Sequence, residues 1–378
     1  MGAEARALVQ LVGGKAGLPS LVEHGVSGLL VDPGSEVVMT DPGYPCNRNF
    51  VYLYEGVPVS VAVEAKHGYQ LTPELLQQRL SDKTSCVLIA TPSNPTGTLV
   101  SEDVLRGLLR VVREHGAALL VDEIYHGLTY ADTPNTALAQ GEDLFVINSF
   151  SKYFGMTGWR IGWLVVPESF VPVMDRLAQN LYLSAPTLAQ YAALAAMQPE
   201  TVAILEERRA EFRRRRDFLY PALQKLGFGL AAKPQGAFYL YADCSQLTDD
   251  SFAFCEHLLE AAGVAITPGK DFGLNAPRRY MRFAYTTSVE RMQLAIERLG
   301  QAIGMSESGV KKCLGGDDVS FARLVSICSA LDLDVVDLLT TVDAAPGPWM
   351  QTEEQEDLFV KDPMCWWFLC ELADAHWD

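Results

Sequence analysis

The chain has 378 residues, 49% of them hydrophobic, enough to bury a large core shared among two or three domains. Its formal net charge is −17, no apolar run approaches membrane-spanning length, and no signal peptide opens the chain. Eight cysteines at irregular spacing carry no metal signature and fit reduced thiols in the cytoplasm.

In chain order, the first feature is the glycine-rich stretch Val12-Gly13-Gly14-Lys15-Ala16-Gly17-Leu18. Asp41-Pro42-Gly43-Tyr44-Pro45 is a tight turn presenting an aromatic ring. Thr72-Pro73 is a helix start, with a capping residue followed by proline at the first helical position. The apolar run Cys86 to Ile89 leads into Ala90-Thr91-Pro92-Ser93-Asn94-Pro95-Thr96-Gly97-Thr98, where prolines and a glycine fix the backbone around Asn94. Leu105 to Val112 predicts an amphipathic helix. Ala117 to Val121 reads as a buried strand ending abruptly in Asp122, with Tyr125 three residues on.

A second apolar run, Leu144 to Ile147, precedes Ser149-Phe150-Ser151-Lys152-Tyr153-Phe154-Gly155-Met156-Thr157-Gly158-Trp159-Arg160. A lysine amine attacks a carbonyl only when neutral, so it needs a dry or electropositive pocket. Phe150, Phe154, Met156 and Trp159 are candidates to wall it, with Arg160 as the nearby cation. Val202 to Leu226 predicts a long helix whose Arg213 to Arg216 run is a solvated face accompanied by Glu206, Glu207 and Glu211. In Arg279-Tyr280-Met281-Arg282-Phe283-Ala284-Tyr285, alternation buries Met281 and Phe283 and turns Arg282 to the other face, leaving Arg278 and Arg279 to solvent.

The Lys152 stretch resembles the pyridoxal-phosphate lysine signature of class I/II aminotransferases, a fold-type-I family, and the other motifs follow in family order over about residues 36–300. The resemblance implies that Lys152 forms a Schiff base with pyridoxal 5′-phosphate and moves the α-carbon proton. It implies that Asp122 pairs with the pyridine nitrogen, that Tyr125 and Asn94 bond the phenolic oxygen, and that Tyr44 stacks on the ring. Ser149 and Arg160 would hold the phosphate. Arg282, with Asn94, would clamp the substrate α-carboxylate. The substrates implied are an α-amino acid and a 2-keto acid, aromatic or aliphatic rather than dicarboxylic, since no additional arginine stands in an obvious site motif. Tyr182, Phe238 and the segments 234–239 and 268–269 are expected on the substrate side. The family also implies a homodimer.

The implied fold is α/β. A three-layer αβα large domain (36–228) binds the cofactor, and a smaller α+β domain (229–303) follows. An N-terminal segment (1–35) and an all-α C-terminal segment (304–378) complete the chain. The ends depart from the family pattern. Family members carry a longer N-terminal stretch that supplies a phosphate loop, and the resemblance would make Val12 to Leu18 the remnant of that loop, with amides at Gly14 to Ala16. Residues 19–34 resemble a glycosyltransferase segment. From Gly304 the chain resembles an XRE-type helix-turn-helix regulator, over 304–316 and Ser320 to Leu339, with Leu294 to Gly304 serving both patterns. A linker at Asp343 to Pro348 and an apolar helix at Cys365 to Leu369 are expected beyond it. Residues 304–378 hold four Lys and Arg against fifteen Asp and Glu, net −11, and such an acidic module repels a phosphate backbone. Nucleic acid is therefore not the expected partner. An aminotransferase-like transcriptional regulator and a catalytically inactive composite chain stay open as alternative readings.

Overall fold

The computed structural model describes residues 33–130 and 134–304. The glycine-rich stretch at 12–18, nearly all of the glycosyltransferase-like segment, and the helices and linker expected after Gly304 lie outside the described residues.

Six strands form the first sheet: β1 (Glu36–Asp41), β2 (Val57–Ala62), β3 (Thr84–Ala90), β4 (Ala118–Asp122), β5 (Phe145–Ser149) and β6 (Gly162–Val165). Their order is β2-β1-β3-β4-β5-β6, parallel throughout except for β6, which runs antiparallel to β5. The sheet is apolar on both faces, as a covered parallel sheet must be. Val38, Val87, Ile89, Leu119 and Val121 pack under α3 (Glu102–His115), together with Leu76 of α2 (Pro73–Gln77). The alternate residues Val37, Met39 and Cys86 pack with Val51 of α1 (Pro45–Leu53). Phe145 and Leu164 pack on Met174 of α4 (Val171–Leu181). This is the three-layer arrangement expected.

Local signals explain where these helices begin and end. Thr72 caps α2 by accepting from the Leu75 N–H at 3.3 Å, as its Thr-Pro pair predicts. Ser101 accepts from the Val104 N–H at 3.3 Å to start α3, with Glu102 and Asp103 in its first turn and Arg113 and His115 in its last, matching the helix dipole. Gly116, at φ +81°, ends it in the left-handed conformation.

After α5 (Thr187–Ala196), the long α6 (Pro199–Lys225) spans about 40 Å at 1.5 Å per residue. It leads to a second, antiparallel sheet of order β7-β9-β8, built from β7 (Tyr239–Asp243), β8 (Thr267–Pro268) and β9 (Tyr280–Ala284). This sheet has its own core, where Leu219 and Leu223 of α6 meet Leu240, Met281 and Phe283. Leu258 of α7 (Ser251–Ala262) joins them, as do Val289, Met292, Ile296 and Leu299 of α8 (Val289–Ala302).

The arginine run on α6 departs from the expected solvated face at one position. Arg214 and Arg215 pair with Glu211 on the surface, but Arg216 is buried, donates to Pro234 O at 2.8 Å and lies 4.7 Å from the Tyr130 ring centroid. Its place on the stripe Phe212, Arg216, Leu219, Leu223 turns it inward. Among the described residues, no helix is long and apolar enough to cross a membrane.

Candidate active site

Because β1, β3, β4 and β5 run parallel, their carboxyl ends open on one edge of the sheet, where ligands of open α/β sheets bind. The register sets Ala90 opposite Asp122, and Asp122 opposite Ile147. The turn bearing Asn94, the Asp122 carboxylate and the loop bearing Lys152 therefore leave the sheet side by side. Tyr44 follows β1 as the residue before α1, whose first position is Pro45.

Lys152 Nζ lies 5.7 Å from the Tyr125 ring centroid and 5.9 Å from that of Phe238. Burial first, then the charge of Arg282 and more weakly that of Arg160, hold the amine below its ordinary range, while Asp122 pulls the other way. The shift runs in the direction a nucleophilic amine requires. Burial likewise pushes Asp122 up to about 6, against the Ile124 N–H donated to its Oδ1 at 2.9 Å and the charge of Lys152. Tyr44 is pushed up to about 12 by a hydrogen bond with Cys46 and then by burial; Tyr239 and Asp122 contribute further.

The walls around Lys152 differ from those expected. Phe150 and Met156 are buried with Ala193 and Ala196 of α5 in a separate cluster, joined by Phe154, while Trp159 is 47% exposed. The loop folds on itself through Met156 N–H to Phe150 O (3.0 Å) and Phe150 N–H to Ile161 O (3.1 Å). Phe150 and Phe154 are thereby committed to α5, and Tyr125 and Phe238, from elsewhere in the chain, flank the amine instead.

Ser149 Oγ sits 2.9 Å from Ser151 Oγ and 3.2 Å from Ile161 O, accepting from the Ser151 N–H at 3.0 Å. Gly162 pairs opposite Ser149, and a Cβ there would come within 2.7 Å of Asn148 O, so this end admits no side chain. Arg160 lies two residues before it at φ +51° and donates to Thr157 O at 2.9 Å. On the opposite side, Arg282 Nη1 donates to Asn94 Oδ1 at 2.8 Å, and its guanidinium carbon lies 4.2 Å from the Tyr239 ring centroid and 4.6 Å from that of Phe272. Arg282 Nε is buried without a hydrogen-bond partner among the described residues.

The sequence pattern of class I and II aminotransferases matches residues 4–299. The chain belongs to that family. The valine–pyruvate aminotransferase of Mycobacterium tuberculosis is 36% identical over 271 residues, covering 71% of this chain and 70% of its own length. The aspartate/prephenate aminotransferase of Thermus thermophilus is 35% identical over 296 residues, covering 78% and 74%. Among solved structures, a putative aminotransferase from Silicibacter pomeroyi superposes with a TM-score of 0.69 at 40% identity, covering 72% of this chain and 73% of that one. The aminotransferase match takes in residues 19–34, so the glycosyltransferase resemblance there gains no support. A second pattern, the Cro/C1-type helix-turn-helix DNA-binding domain, matches residues 289–344 and overlaps the first along α8.

Aminotransferases of this fold use pyridoxal phosphate, and the residues present fit it. Two guanidinium cations, Arg160 and Arg282, act on the Lys152 amine, with Asp122 as the carboxylate among them. That surplus suits a phosphate and a carboxylate, and the orphaned Arg282 Nε is one donor ready for use.

Residues to which the sequence assigns no individual role also converge here, Tyr239 among them from the segment 234–239 expected on the substrate side. Tyr239 bonds Tyr125, Ser151 bonds Ser149, and Thr267 Oγ1 lies 3.4 Å from Arg282 Nη2. Arg279 is exposed, as expected, and from the surface donates to Asp243 at 2.7 Å. Arg278 stays largely exposed, 3.8 Å from Asp250.

Proposed function

We propose that this aminotransferase transfers an amino group between an aliphatic or aromatic α-amino acid and a 2-keto acid, through a Schiff base on Lys152. The observation that carries the proposal is the convergence of Lys152, held toward neutrality, with Asp122 and the Arg282–Asn94 pair at the carboxyl edge of the sheet. When bound, pyridoxal phosphate supplies an electron sink for the substrate's α-carbon. Asp122 would hold the proton on the pyridine nitrogen, and the Tyr125 hydroxyl would donate toward the phenolic oxygen. Ser149 and Arg160 would bind the phosphate, and Tyr44 would cover the ring. Arg282 fixes the substrate carboxylate, and Lys152 Nζ takes up the α-carbon proton and returns it.

The walls supplied by Tyr44, Tyr125, Phe238 and Tyr239 support a preference for apolar side chains. An absorption spectrum with added pyridoxal phosphate tests the assignment. A visible band that responds to amino acids is expected, and the Lys152→Ala variant should lose it and all turnover while binding the cofactor noncovalently. A band that persists in that variant contradicts the role of Lys152.

Two surfaces support a homodimer as the working form. Leu188, Tyr191 and Leu194 stand exposed on α5, and Phe50, Tyr52 and Leu53 on α1, and grouped exposed apolar side chains of this kind mark protein contacts. A second reading, a regulator that senses a ligand through the aminotransferase fold, is favoured by the Cro/C1-type match at 289–344. Retention of duplex DNA in a mobility-shift assay at moderate salt would support it. The net charge of −11 beyond Gly304 argues for no retention.

A further inference from the structure

Alternation along β7 sends Leu240 and Ala242 into the core shared with α6 to α8 and turns Tyr239 the other way, toward the site. There its hydroxyl lies 2.9 Å from that of Tyr125, both side chains being buried. The two rings meet edge to face at 5.8 Å and 79°. The same Tyr239 ring lies 4.2 Å beneath the Arg282 guanidinium, which in turn holds Asn94. One side chain thus touches both halves of the site.

We propose that Tyr239 is a positioning residue that aims the Tyr125 proton at the phenolic oxygen of the cofactor and seats Arg282 for the substrate carboxylate. The proposal rests on the reading of Lys152 as the cofactor-bearing residue. Tyr125 has a single proton. If that proton is given to an anionic phenolic oxygen, the 2.9 Å contact must run from the Tyr239 O–H to Tyr125 Oη. A donor in that place fixes the rotor of Tyr125 and strengthens its outgoing bond. The stacked ring meanwhile holds the guanidinium plane with a cation–π contact.

The consequence is readable without turnover. A donor on the phenolic oxygen withdraws negative charge and lets the neighbouring Lys152 nitrogen release its proton at lower pH. Losing the Tyr239 hydroxyl therefore moves the pH midpoint of the visible band upward. The groups facing this pair are Asp122 from β4, Arg282 from β9, Lys152 from the loop after β5, and Tyr44 from the turn after β1. All of them are retained in the variants below.

The experiment is a spectrophotometric pH titration of the holoenzyme, with cofactor affinity by equilibrium dialysis and KM for an α-amino acid. Tyr239→Phe should raise the midpoint by about half a unit to one unit and weaken cofactor binding by about twofold to tenfold, leaving KM within about twofold. Tyr239→Leu should also raise KM about tenfold, because the guanidinium loses its ring. In a Tyr125→Phe background, Tyr239→Phe should shift the midpoint no further. An unchanged midpoint in Tyr239→Phe, or additive shifts in the double variant, overturns the relay, and an unchanged KM in Tyr239→Leu overturns the seating of Arg282. A wild-type chain with no visible band overturns the Lys152 reading itself, and the role of Tyr239 goes with it.

Discussion

Arg282 Nη1 donates to Asn94 Oδ1 at 2.8 Å across 188 positions of sequence. Asn94 sits in a proline-bounded turn at the end of β3, and Arg282 sits on β9 of the other sheet, so the pair joins the two sheets at the site. Arg282→Lys keeps the charge and loses the planar fork. The expected result is a kcat/KM lower by about 10- to 100-fold on an α-amino acid, with little change on a matched primary amine lacking the carboxylate. Equal losses on both substrates would remove the carboxylate role.

Asp122 is held at about 6 by burial, above its ordinary 3.8. A carboxylate raised in the folded state costs stability wherever it is ionised, fully above pH 6, and costs nothing below pH 4, where it is protonated folded or unfolded. Asp122→Asn keeps the oxygen that accepts from Ile124 and removes the cost. The cofactor-free variant should be more stable at pH 7.5, by up to about 3 kcal/mol, with the gain shrinking as pH falls from 6 to 4. Its turnover should collapse. Denaturant melts at pH 7.5 and 4.5 check the sign, and equal gains at both contradict it.

Gly97 lies at φ +68°, and a Cβ there would stand 2.7 Å from Gly236 O. Its carbonyl accepts from both Gln235 and Gly236 N–H at 2.9 Å, which locks the Asn94 turn to the segment before β7. Gly97→Ala should cost about 1–3 kcal/mol of stability and weaken substrate binding as well. A denaturation midpoint equal to that of the parent chain would show that the turn yields freely.

Leu194 is 61% exposed on α5, beside the equally open Leu188 and Tyr191. Sedimentation velocity should find a dimer for the parent chain and a shift toward monomer for Leu194→Glu, with turnover lost in step. A monomeric parent chain that retains full activity would contradict the dimer as the working form.

Much of this arrangement was legible in sequence because it is local. The apolar run into Asp122, the Asn94 turn, the Thr72-Pro73 start and the alternation around Arg282 each carry their own physical signal within a few residues. What escaped reading depends on partners far along the chain. Tyr239 belongs to the segment 234–239 expected on the substrate side, but its partner Tyr125 lies 114 positions away, and no period in β7 names that contact. The sequence neighbours of Lys152 suggest its walls, whereas the loop's own backbone bonds turn Phe150, Phe154 and Met156 to α5 and Trp159 is exposed. Arg216 was readable in principle: it falls on the inward helical stripe with Leu219 and Leu223, and the four-arginine run masked that register.

The apolar stripe of α8 has a practical consequence for anyone who would divide the chain. Val289, Met292, Ile296 and Leu299 are spent inside the aminotransferase core, while the helix-turn-helix pattern begins at residue 289. A cut before Val289 preserves the regulator-like pattern and strips four core side chains from the enzyme. A cut after Gly304 leaves α8 with the enzyme and removes the opening stretch of the other pattern. No single scissor point yields both halves whole.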